Sequence, residues 1–394
     1  MTATRTTPPR LIFMIDGFGC DYLDSGAAPF MSGLFAAGGS AVSALWPTVT
    51  NVNNAAIACA APPAVTGITG NSILDPESGK DRYMDSAQML NTPTLLQTWS
   101  AQGRRCCLLS VKGKTGRLLG AGVDYIVSTE LVPPEIASAI GAPPSIYTIE
   151  VNAWLVRCLE WLLANRPDLD TFYVHTTDYP MHMWAPGEAG SQEHLRQLDT
   201  AIRKVVETLG DAEVLITADH GMNAKSRALD LGRILTGRGI TGAMALSIEK
   251  DGIVGHHRDL GGGAWVWAGA ADRDRAAGIL ASLDGVEEVI PRAEAAARFE
   301  LDPSRMGDFA VLADRRSVFG DLATETEDLP PGYRSHGSCY EREVPLIRWN
   351  TPDRGPGTVS SMSTVPPMST VPPINPAPSM NWHLLLPFTE SPAR

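Results

Sequence analysis

Two stretches of the sequence place a carboxylate close to an imidazole directly after an apolar run. Asp178 precedes His182 by four residues, and Asp219 is followed at once by His220. Each pair offers one hard oxygen ligand and one nitrogen ligand, which together suit a divalent metal. Two such pairs indicate a hydrolytic centre with two metal ions. Taken singly, either pair could instead cap a helix or close a turn, because short motifs often arise without function.

The runs before these two pairs are short and rich in β-branched and aromatic residues. Residues 171–175 and 213–216 are typical of buried strands in an α/β sheet. Open α/β sheets bind ligands at the carboxyl ends of their strands, so both pairs are expected at one edge of a sheet. A third strand, predicted over residues 10–15, ends at Asp16 and Gly17 and would bring a third carboxylate to that edge.

A hydroxyl side chain lies at the start of a predicted helix. Thr50 precedes residues 52–61, an alanine-rich segment with helical character. Threonine at such a position commonly caps the helix. It could also be a nucleophile, because the free N–H groups and the positive dipole end of a helix face an incoming phosphoryl group. The Asp and His pairs favour the nucleophile.

The order of these motifs along the chain resembles the alkaline phosphatase superfamily. Within it the sequence is similar to the nucleotide pyrophosphatase/phosphodiesterase branch, and most similar to the phosphonoacetate hydrolases. The resemblance runs from Asp16 to about residue 345 and is carried by residues 16–17, 50–54, 61–63, 67–71, 177–182, 217–223 and 335–337. It implies an α/β fold with an alkaline-phosphatase-like core, in which helices flank a mostly parallel sheet and a small insert forms a lid or cap.

The resemblance also implies two zinc sites, each with three or four protein donors and room for water or substrate, as catalytic zinc requires. The ligands of the first site would be Asp178, His182 and His336. Those of the second would be Asp16, Asp219 and His220, with Thr50 as both a ligand and the nucleophile. Asp and His also bind other divalent ions, so the sequence does not distinguish zinc from manganese or iron.

Three further residues match positions that contact substrate in the family. Asn71 matches an asparagine that contacts a phosphoryl oxygen, although by its position after Gly70 it could equally be a turn residue. Lys112 and Lys114 match a Lys-x-Lys segment that binds the substrate carboxylate in phosphonoacetate hydrolases. Cations there would stabilise the charge that develops as a C–P bond breaks. From the pattern alone, two solvated surface lysines would be the commoner interpretation.

The resemblance predicts a metal-dependent hydrolase that converts phosphonoacetate to acetate and phosphate through a phosphothreonine intermediate. One alternative is a phosphodiesterase or nucleotide pyrophosphatase on the same di-zinc core. Another is a noncatalytic, metal-containing binding protein, which the complete set of ligands and nucleophile disfavours. The expected partner is a small anionic phosphonate, and the relatives suggest a homodimer.

Several histidines are less clearly assigned. His336 stands alone in a loop, where a histidine is more often solvated than ligating, but the order of the family motifs and the otherwise incomplete first site favour a ligand. His256 and His257 are either a loop feature or groups that support a ligand or contact substrate. The remaining histidines, which fit no motif, are His175, His194 and His383.

Composition is that of a soluble globular enzyme. The chain has 394 residues, an apolar content of 44% and a net charge of −12, which argues against nonspecific binding to nucleic acid or membrane surfaces. No apolar run approaches the roughly 20 residues of a membrane-spanning helix. The first 15 residues lack a secretory pattern, and the six cysteines lack metal-binding spacing and are expected to be free thiols. These features predict a cytoplasmic protein.

Alternating helical and strand-like segments predict a doubly wound sheet. We expect strands near residues 10, 105, 125, 171, 213, 243 and 265, and helices over 29–37, 92–101, 149–164, 192–209 and 273–283. The catalytic core would comprise residues 1–112 and 149–350, interrupted by a lid over residues 113–148, where proline pairs at 133–134 and 143–144 break the alternation. A second insert, roughly residues 225–330, would form a cap or extend the sheet. Residues 351–394 form a tail rich in Pro, Ser and Thr, with a direct repeat at 362–367 and 368–373, and are expected to be poorly ordered, although residues 382–388 could dock.

Overall fold

The chain is organised around a mostly parallel sheet, as a computed structural model covering residues 8–75, 78–252, 255–351 and 379–389 describes. The strands of the first part of the chain are β1 (Arg10–Met14), β2 (Ser40–Ser43), β3 (Ser72–Leu74), β4 (Asp81–Tyr83), β5 (Cys106–Ser110), β6 (Tyr125–Ser128), β7 (Thr171–His175), β8 (Glu213–Thr217) and β9 (Asn223–Ala224). Those of the second part are β10 (Arg227–Leu229), β11 (Met244–Ser247), β12 (Gly263–Trp267), β13 (Val286–Pro291), β14 (Phe309–Ala313), β15 (Ser317–Phe319), β16 (Thr326–Asp328), β17 (Arg334–Ser335) and β18 (Glu343–Trp349).

Helices alternate with these strands. The α-helices are α1 (Cys20–Leu23), α2 (Pro29–Gly38), α3 (Thr50–Cys59), α4 (Pro63–Thr66), α5 (Leu95–Ala101), α6 (Gly113–Leu119), α7 (Pro134–Ile140), α8 (Glu150–Asn165), α9 (Tyr179–Met183), α10 (Ala189–Leu209), α11 (Leu231–Gly237), α12 (Arg273–Ala281) and α13 (Arg292–Phe299). Short 3-10 helices are Ala87–Met89, Pro303–Arg305, Cys339–Glu341 and Asn381–Phe388.

The main sheet has the strand order β2-β18-β8-β1-β7-β5-β6 among the described residues. Strands β8, β1, β7, β5 and β6 are parallel, whereas β18 is antiparallel to both of its neighbours. Helix α10 contacts both α2 and α8, and α3 contacts both α5 and α6. Every residue of β1, β5 and β7 is buried, as expected of parallel strands covered by helices.

The predicted elements are confirmed by this arrangement. Strands β1, β5, β6, β7, β8, β11 and β12 lie where the apolar runs placed them, and helices α2, α5, α8, α10 and α12 occupy the segments with helical periodicity. All six cysteines are free. No helix among the described residues combines the length and the apolar character needed to cross a bilayer.

The second predicted insert, residues 225–330, builds a small sheet of its own. Strands β11, β12, β14 and β13 lie in that order and are antiparallel. Helices α11 and α12 pack against each other beside this sheet, and their apolar residues form a hydrophobic cluster distinct from the main core. This unit lies beside the main sheet rather than extending it.

The prediction of a lid over residues 113–148 needs correction. Strand β6 lies within this range and forms the edge of the main sheet, paired in parallel with β5. Helix α7 packs on α8, with Ile136 buried. The proline pair that suggested an insert supplies the helix start instead, because Pro133 is the N-cap and Pro134 the first residue of α7.

The alternative that residues 382–388 dock is confirmed, so the expectation of poor order does not hold for residues 379–389. The 3-10 helix Asn381–Phe388 packs on α3 and buries Leu384 and Leu385. Asn381 Nδ2 donates to Asn53 Oδ1 at 2.9 Å and to the carbonyl of Ala218 at 3.1 Å. The apolar residues of this 3-10 helix therefore complete the core beside β8, the strand that precedes Asp219. The direct repeat lies outside the described residues.

Candidate metal centre

Three neighbouring strands deliver the three candidate carboxylates to one edge of the main sheet. Asp16, Asp178 and Asp219 follow β1, β7 and β8, and β1 lies between the other two strands. The strands end in register, because Met14 is opposite both His175 and Thr217. All three carboxylates are essentially inaccessible to solvent. The expected convergence of these residues at the carboxyl edge is therefore present.

Hydrogen bonds from backbone N–H groups to side-chain oxygens connect the loops that carry these carboxylates. The N–H of Asp16 donates to Thr176 Oγ1 at 2.9 Å, and the N–H of Gly17 donates to Asp219 Oδ1 at 3.0 Å. Gly17 has φ +71°, and a Cβ at this residue would lie 3.0 Å from the Cβ of Asp178. Only glycine accommodates both the left-handed conformation and this close approach.

The three predicted histidine ligands share one hydrogen-bond pattern. The Nδ1 atoms of His182, His220 and His336 lie 2.8, 3.0 and 2.8 Å from the backbone carbonyls of Arg334, Gly221 and Thr48. A carbonyl can only accept, so Nδ1 carries a proton in each ring, and in the neutral ring the lone pair is on Nε2. This is the tautomer that a ligating histidine needs, and a backbone carbonyl is a usual partner for its second nitrogen.

The Nε2 atoms of these rings face the carboxylates. The ligand atoms of Asp16, Asp219 and His220 lie within 4.8 Å of one another, and the same holds for Asp178 with His220 and His336. A further group contains Asp178, His182 and His256. The structure thus brings all six predicted Asp and His ligands together, but His336 is grouped with His220 rather than with His182.

The donor set fits divalent metal ions. Across the described part of the chain, several buried ligand atoms have no hydrogen-bond partner, among them Asp16 Oδ1, Asp219 Oδ2, His220 Nε2 and His336 Nε2. Buried polar atoms without partners are costly, and several in one place indicate a missing ligand. Carboxylate oxygens and neutral imidazoles are the donors that catalytic zinc and related ions take.

Lys112 places an ammonium group among the carboxylates. Its Nζ lies 2.7 Å from Asp16 Oδ2 and 2.8 Å from Asp178 Oδ1, with the side chain 5% exposed. Burial alone would lower the pKa of Lys112, but the two carboxylates raise it well above its usual value. Burial would raise the pKa of Asp178, but the Lys112 ammonium and His182 hold it well below its usual range. Lys112 and Asp178 are therefore both charged at neutral pH.

Asp219 differs from the other two carboxylates. Burial and the neighbouring charge of Asp16 raise the pKa of Asp219 well above its usual value. Three carboxylates confined in one buried site cannot all ionise without added positive charge. Metal ligands must be deprotonated, so a bound divalent ion would favour the ionised form of Asp219.

Thr50 is the first residue of α3 and is 1% exposed. The N-cap of α3 is Val49, and no side-chain bond caps this end, so the structure gives no support to the capping role. Residues on both sides of Thr50 contact the site. Thr48 accepts from His336 as described above, and Asn54 Nδ2 lies 3.3 Å from His175 Nε2. The hydroxyl is thus carried by a helix whose first turn lies against the cluster.

Asn71 is fixed beside the same helix start. Its Oδ1 accepts from the N–H of Asn51 at 3.2 Å, and its Nδ2 donates to the carbonyl of Glu249 at 3.3 Å. The amide NH₂ has two hydrogens, so one N–H remains for another acceptor. That N–H is the group that would make the predicted contact with a phosphoryl oxygen.

Lys114 lies in a different environment from Lys112. Its Nζ donates to Asp251 Oδ2 at 2.5 Å, and both side chains are almost completely buried. His257 Nε2 lies 3.6 Å from Glu249 Oε1 and 3.8 Å from Asp251 Oδ2. Lys114 therefore belongs to a buried cluster of charged and polar side chains. The other members, Glu249, Asp251 and His257, lie between β11 and β12 of the small sheet.

Sequence reasoning missed a histidine that contacts the predicted ligands. His175 is the last residue of β7, and its Nε2 lies 3.1 Å from Asp16 Oδ2 while its Nδ1 lies 3.0 Å from Ser110 Oγ. His175 therefore contacts Asp16, a predicted metal ligand, and helps to orient its carboxylate. The available signal was a lone histidine at the end of an otherwise apolar strand, next to the Asp178 motif.

His256, which the sequence left as a loop feature or a group that supports a ligand or contacts substrate, has its Nε2 3.6 Å from Asp178 Oδ1. Burial lowers the pKa of His256 to about 4, so the ring is neutral near pH 7. The signal in the sequence was its adjacency to a second histidine, which did not distinguish a ligand from a loop residue.

A buried ion pair anchors the loop that carries His336. Glu341 Oε2 accepts from the N–H and hydroxyl of Ser338 at 2.8 and 2.6 Å, and Oε1 accepts from Lys225 Nζ at 2.9 Å. We expect Glu341→Gln to lower the free energy of unfolding by about 3 kcal/mol, because it leaves the Lys225 ammonium buried without its counter-charge. Urea unfolding at pH 7 measures this loss.

Matched substitution and pH provide the controls for Glu341. Glu207→Gln removes the same charge from an exposed pair with Arg203, and should cost less than about 1 kcal/mol. Burial would raise the pKa of Glu341, but Lys225 and the hydrogen bonds lower it. Its ionised form thus stabilises the fold above the unfolded pKa, and the difference between wild type and Glu341→Gln should shrink as the pH falls through the lowered folded pKa. Equal losses for both substitutions would contradict the anchoring role.

The sequence is similar to a known protein family and to several of its members. Residues 10–338 match the type I phosphodiesterase/nucleotide pyrophosphatase family. Ectonucleotide pyrophosphatase/phosphodiesterase family member 3 of Mus musculus is 26% identical over 237 residues, which cover 56% of this chain and 25% of that protein. Venom phosphodiesterase of Naja atra is 24% identical over 241 residues, with coverage of 55% and 26%. The chain spans about a quarter of the length of these curated relatives.

Solved structures show the same likeness over more of the chain. Phosphonoacetate hydrolase from Sinorhizobium meliloti 1021, in complex with phosphonoacetate, aligns with a TM-score of 0.81 and 26% identity, covering 96% of this chain and 94% of that one. Murine ectonucleotide pyrophosphatase/phosphodiesterase 5 aligns with a TM-score of 0.62 and 16% identity, covering 86% and 87%. The second likeness indicates a shared fold only, whereas the first extends to nearly the full length of both chains.

Proposed function

This chain belongs to the type I phosphodiesterase/nucleotide pyrophosphatase family, and on that premise we propose that it is a metal-dependent phosphonoacetate hydrolase. The observation that carries the proposal is the buried ammonium of Lys112, within 2.8 Å of two candidate metal ligands. An enzyme that expels a carbanion beside a carboxylate needs such a cation, whereas one that expels an alkoxide or a nucleotide does not. The alignment with phosphonoacetate hydrolase over 96% of the chain supports the same substrate.

Two divalent ions, which we propose to be zinc, would be held by residues of the cluster. The proposed ligands are Asp178, His182 and His336 for one ion, and Asp16, Asp219, His220 and Thr50 for the other. When bound, such ions neutralise charge on phosphoryl oxygens and lower the pKa of a hydroxyl group or of water.

In the first proposed step, Thr50 supplies the attacking oxygen. Its Oγ forms a bond to phosphorus as the C–P bond breaks, which leaves a phosphothreonine. The electron pair of the C–P bond moves to the methylene carbon and is delocalised into the adjacent carboxylate, where the Lys112 ammonium would stabilise it. The methylene carbon then takes a proton from water to give acetate, which balances the proton lost by the Thr50 hydroxyl.

In the second step, water cleaves the phosphothreonine. The water oxygen bonds to phosphorus, the Oγ–P bond breaks, and Thr50 regains its proton as phosphate leaves. Asn71 would donate its remaining amide N–H to a phosphoryl oxygen in both steps. Because its amide group is already held by Asn51 and by the carbonyl of Glu249, little conformational entropy would be lost on binding.

A substrate panel tests this proposal. Purified protein, with and without added zinc, is incubated with phosphonoacetate, methylphosphonate and bis-nitrophenyl phosphate, and released phosphate or nitrophenol is measured. We expect metal-dependent release of phosphate from phosphonoacetate and no detectable release from methylphosphonate, because the methyl carbanion lacks a carboxylate to delocalise its charge.

The phosphodiesterase alternative is favoured by one observation, the similarity to ectonucleotide pyrophosphatases and venom phosphodiesterase. The same panel separates the two functions. Efficient cleavage of the nitrophenyl diester with no release of phosphate from phosphonoacetate would overturn the hydrolase proposal in favour of the diesterase.

A further inference from the structure

His256 is buried without hydrogen-bond partners for its ring. It follows β11 and precedes β12, in a loop from the small sheet, and its side chain is 4% exposed. Within the described residues, neither Nδ1 nor Nε2 of His256 has a hydrogen-bond partner. A buried imidazole normally satisfies at least one nitrogen, so this ring lacks an interaction that its site should provide. The missing hydrogen bonds indicate that the His256 ring interacts with a bound group.

The position of His256 is that of a metal donor. Its Nε2 lies 3.6 Å from Asp178 Oδ1, and the ligand atoms of His256, Asp178 and His182 lie within 4.8 Å of one another. Donors bound to one zinc ion at their usual bond lengths lie about 3 to 4.4 Å apart. The His182 and His256 rings are close, with centroids 4.7 Å apart. Three donors of suitable type therefore lie close enough to share one ion.

Two tyrosines hold the His256 ring in this position. Tyr147 and Tyr179 contact it edge to face, with centroids 5.8 and 5.6 Å away and interplanar angles of 76° and 82°. The N–H of Gly255 donates to the Tyr147 hydroxyl at 3.2 Å and fixes the preceding residue. Tyr179 follows Asp178 directly, so one chain segment supplies both a candidate ligand and part of the support for His256. The ring is thus oriented by packing.

We propose that His256 is a protein ligand of the ion that Asp178 and His182 hold, an inference that rests on the metal centre of the proposed function. His336 Nε2, 3.6 Å from Asp178 Oδ2, adds a fourth donor. An ion held by Asp178 would then have more protein donors than a typical catalytic zinc and would need a fifth position to accept water or substrate. With Thr50 counted, the proposed donors of the two ions would be equal in number.

Cobalt titration tests this ligand without relying on activity. Wild-type protein, His256→Ala and His257→Ala are stripped with chelator, titrated with Co²⁺, and followed by visible absorption, which reports the number and type of donors. Affinity is measured by competition with a chromophoric chelator. His257 is the matched control, because it is adjacent in sequence but lies against Glu249 and Asp251.

For His256→Ala we expect one of the two ions to bind at least about 100-fold more weakly, beyond the range usual for residues that only support a ligand. The Co²⁺ spectrum of that site should also change, while His257→Ala keeps both ions and the wild-type spectrum. If alanine prevents folding, His256→Gln fills the same space and should show the same spectral change.

The outcomes separate this inference from the proposed function. If the wild-type protein binds two ions and His256→Ala binds them with unchanged affinity and spectrum, His256 is not a ligand and only this inference fails. If the wild-type protein binds no ion, the metal centre itself is wrong, and both proposals fail.

Discussion

Replacing Thr50 with alanine is expected to reduce phosphonoacetate hydrolysis by roughly 10⁴-fold or more, the scale seen when a covalent nucleophile is removed. The reason is chemical, because alanine has no oxygen with which to form the phosphothreonine. The side chain is small and lies at a helix start without a capping bond, so the fold should survive. Steady-state phosphate release, with circular dichroism as a check on folding, measures the effect.

Thr50→Ser provides the matched control for this prediction. Serine retains the hydroxyl and should keep a substantial part of the activity, and acid-quenched protein should carry a phosphoryl group on the peptide that contains residue 50. Both signals should be absent from Thr50→Ala. Activity of Thr50→Ala close to that of wild type would remove the nucleophilic role, and low, equal activity in both forms would favour a noncatalytic binding protein.

Replacing Lys112 with alanine is expected to reduce turnover of phosphonoacetate by about 10²- to 10³-fold, the usual cost of losing one group that stabilises developing charge. Cleavage of a nitrophenyl diester should fall by less than about tenfold, since its leaving group has no carboxylate. Because Lys112 also contacts Asp16 and Asp178, the assays are run at saturating metal and the bound metal is quantified. Equal losses on both substrates would contradict the assignment.

Lys114 is the natural comparison, because its charge is already paired with Asp251. Lys114→Ala should destabilise the fold by about 3 kcal/mol, as expected when one partner of a buried ion pair is removed. The double variant Lys114→Ala, Asp251→Ala removes both charges and should recover part of this loss. If the double variant also hydrolyses phosphonoacetate normally, Lys114 acts through structure and Lys112 alone contacts the substrate.

Most of the sheet could be predicted because buried parallel strands carry continuous apolar runs, as in residues 171–175. The edge strand β6 was expected near residue 125, yet the surrounding segment suggested a lid because of its proline pairs. A proline pair can simply begin a helix, as Pro133 and Pro134 do at α7, and then it does not indicate an inserted domain. The apolar residues of the segment Asn381–Phe388 indicated that it could dock, but its partner, α3, is encoded by no local pattern.

The predicted Asp and His ligands converge because each follows a strand, and the register of parallel strands fixes where their ends meet. The environments of other residues depended on partners distant in sequence. His175 contacts Asp16 across 159 positions, and Lys114 pairs with Asp251 across 137. A buried histidine or lysine has the same local signature whether it is paired, ligating or solvated. The candidate ligands could therefore be predicted from the sequence more readily than the residues that support them.

The strand order of the main sheet separates two kinds of residue. The three candidate carboxylates follow β8, β1 and β7, and their loops are interlocked through backbone contacts, whereas Lys112 follows β5 on the far side of β7. Under the proposed function, the residues that select the leaving group thus come from a different strand than the carboxylates, and Lys112 reaches two of them only through its side chain. Sequence change in the segment after β5 would therefore alter substrate preference without moving the backbone that carries the carboxylates, and it marks residues 111–115, apart from the buried ion pair of Lys114, as the target for a directed-evolution library.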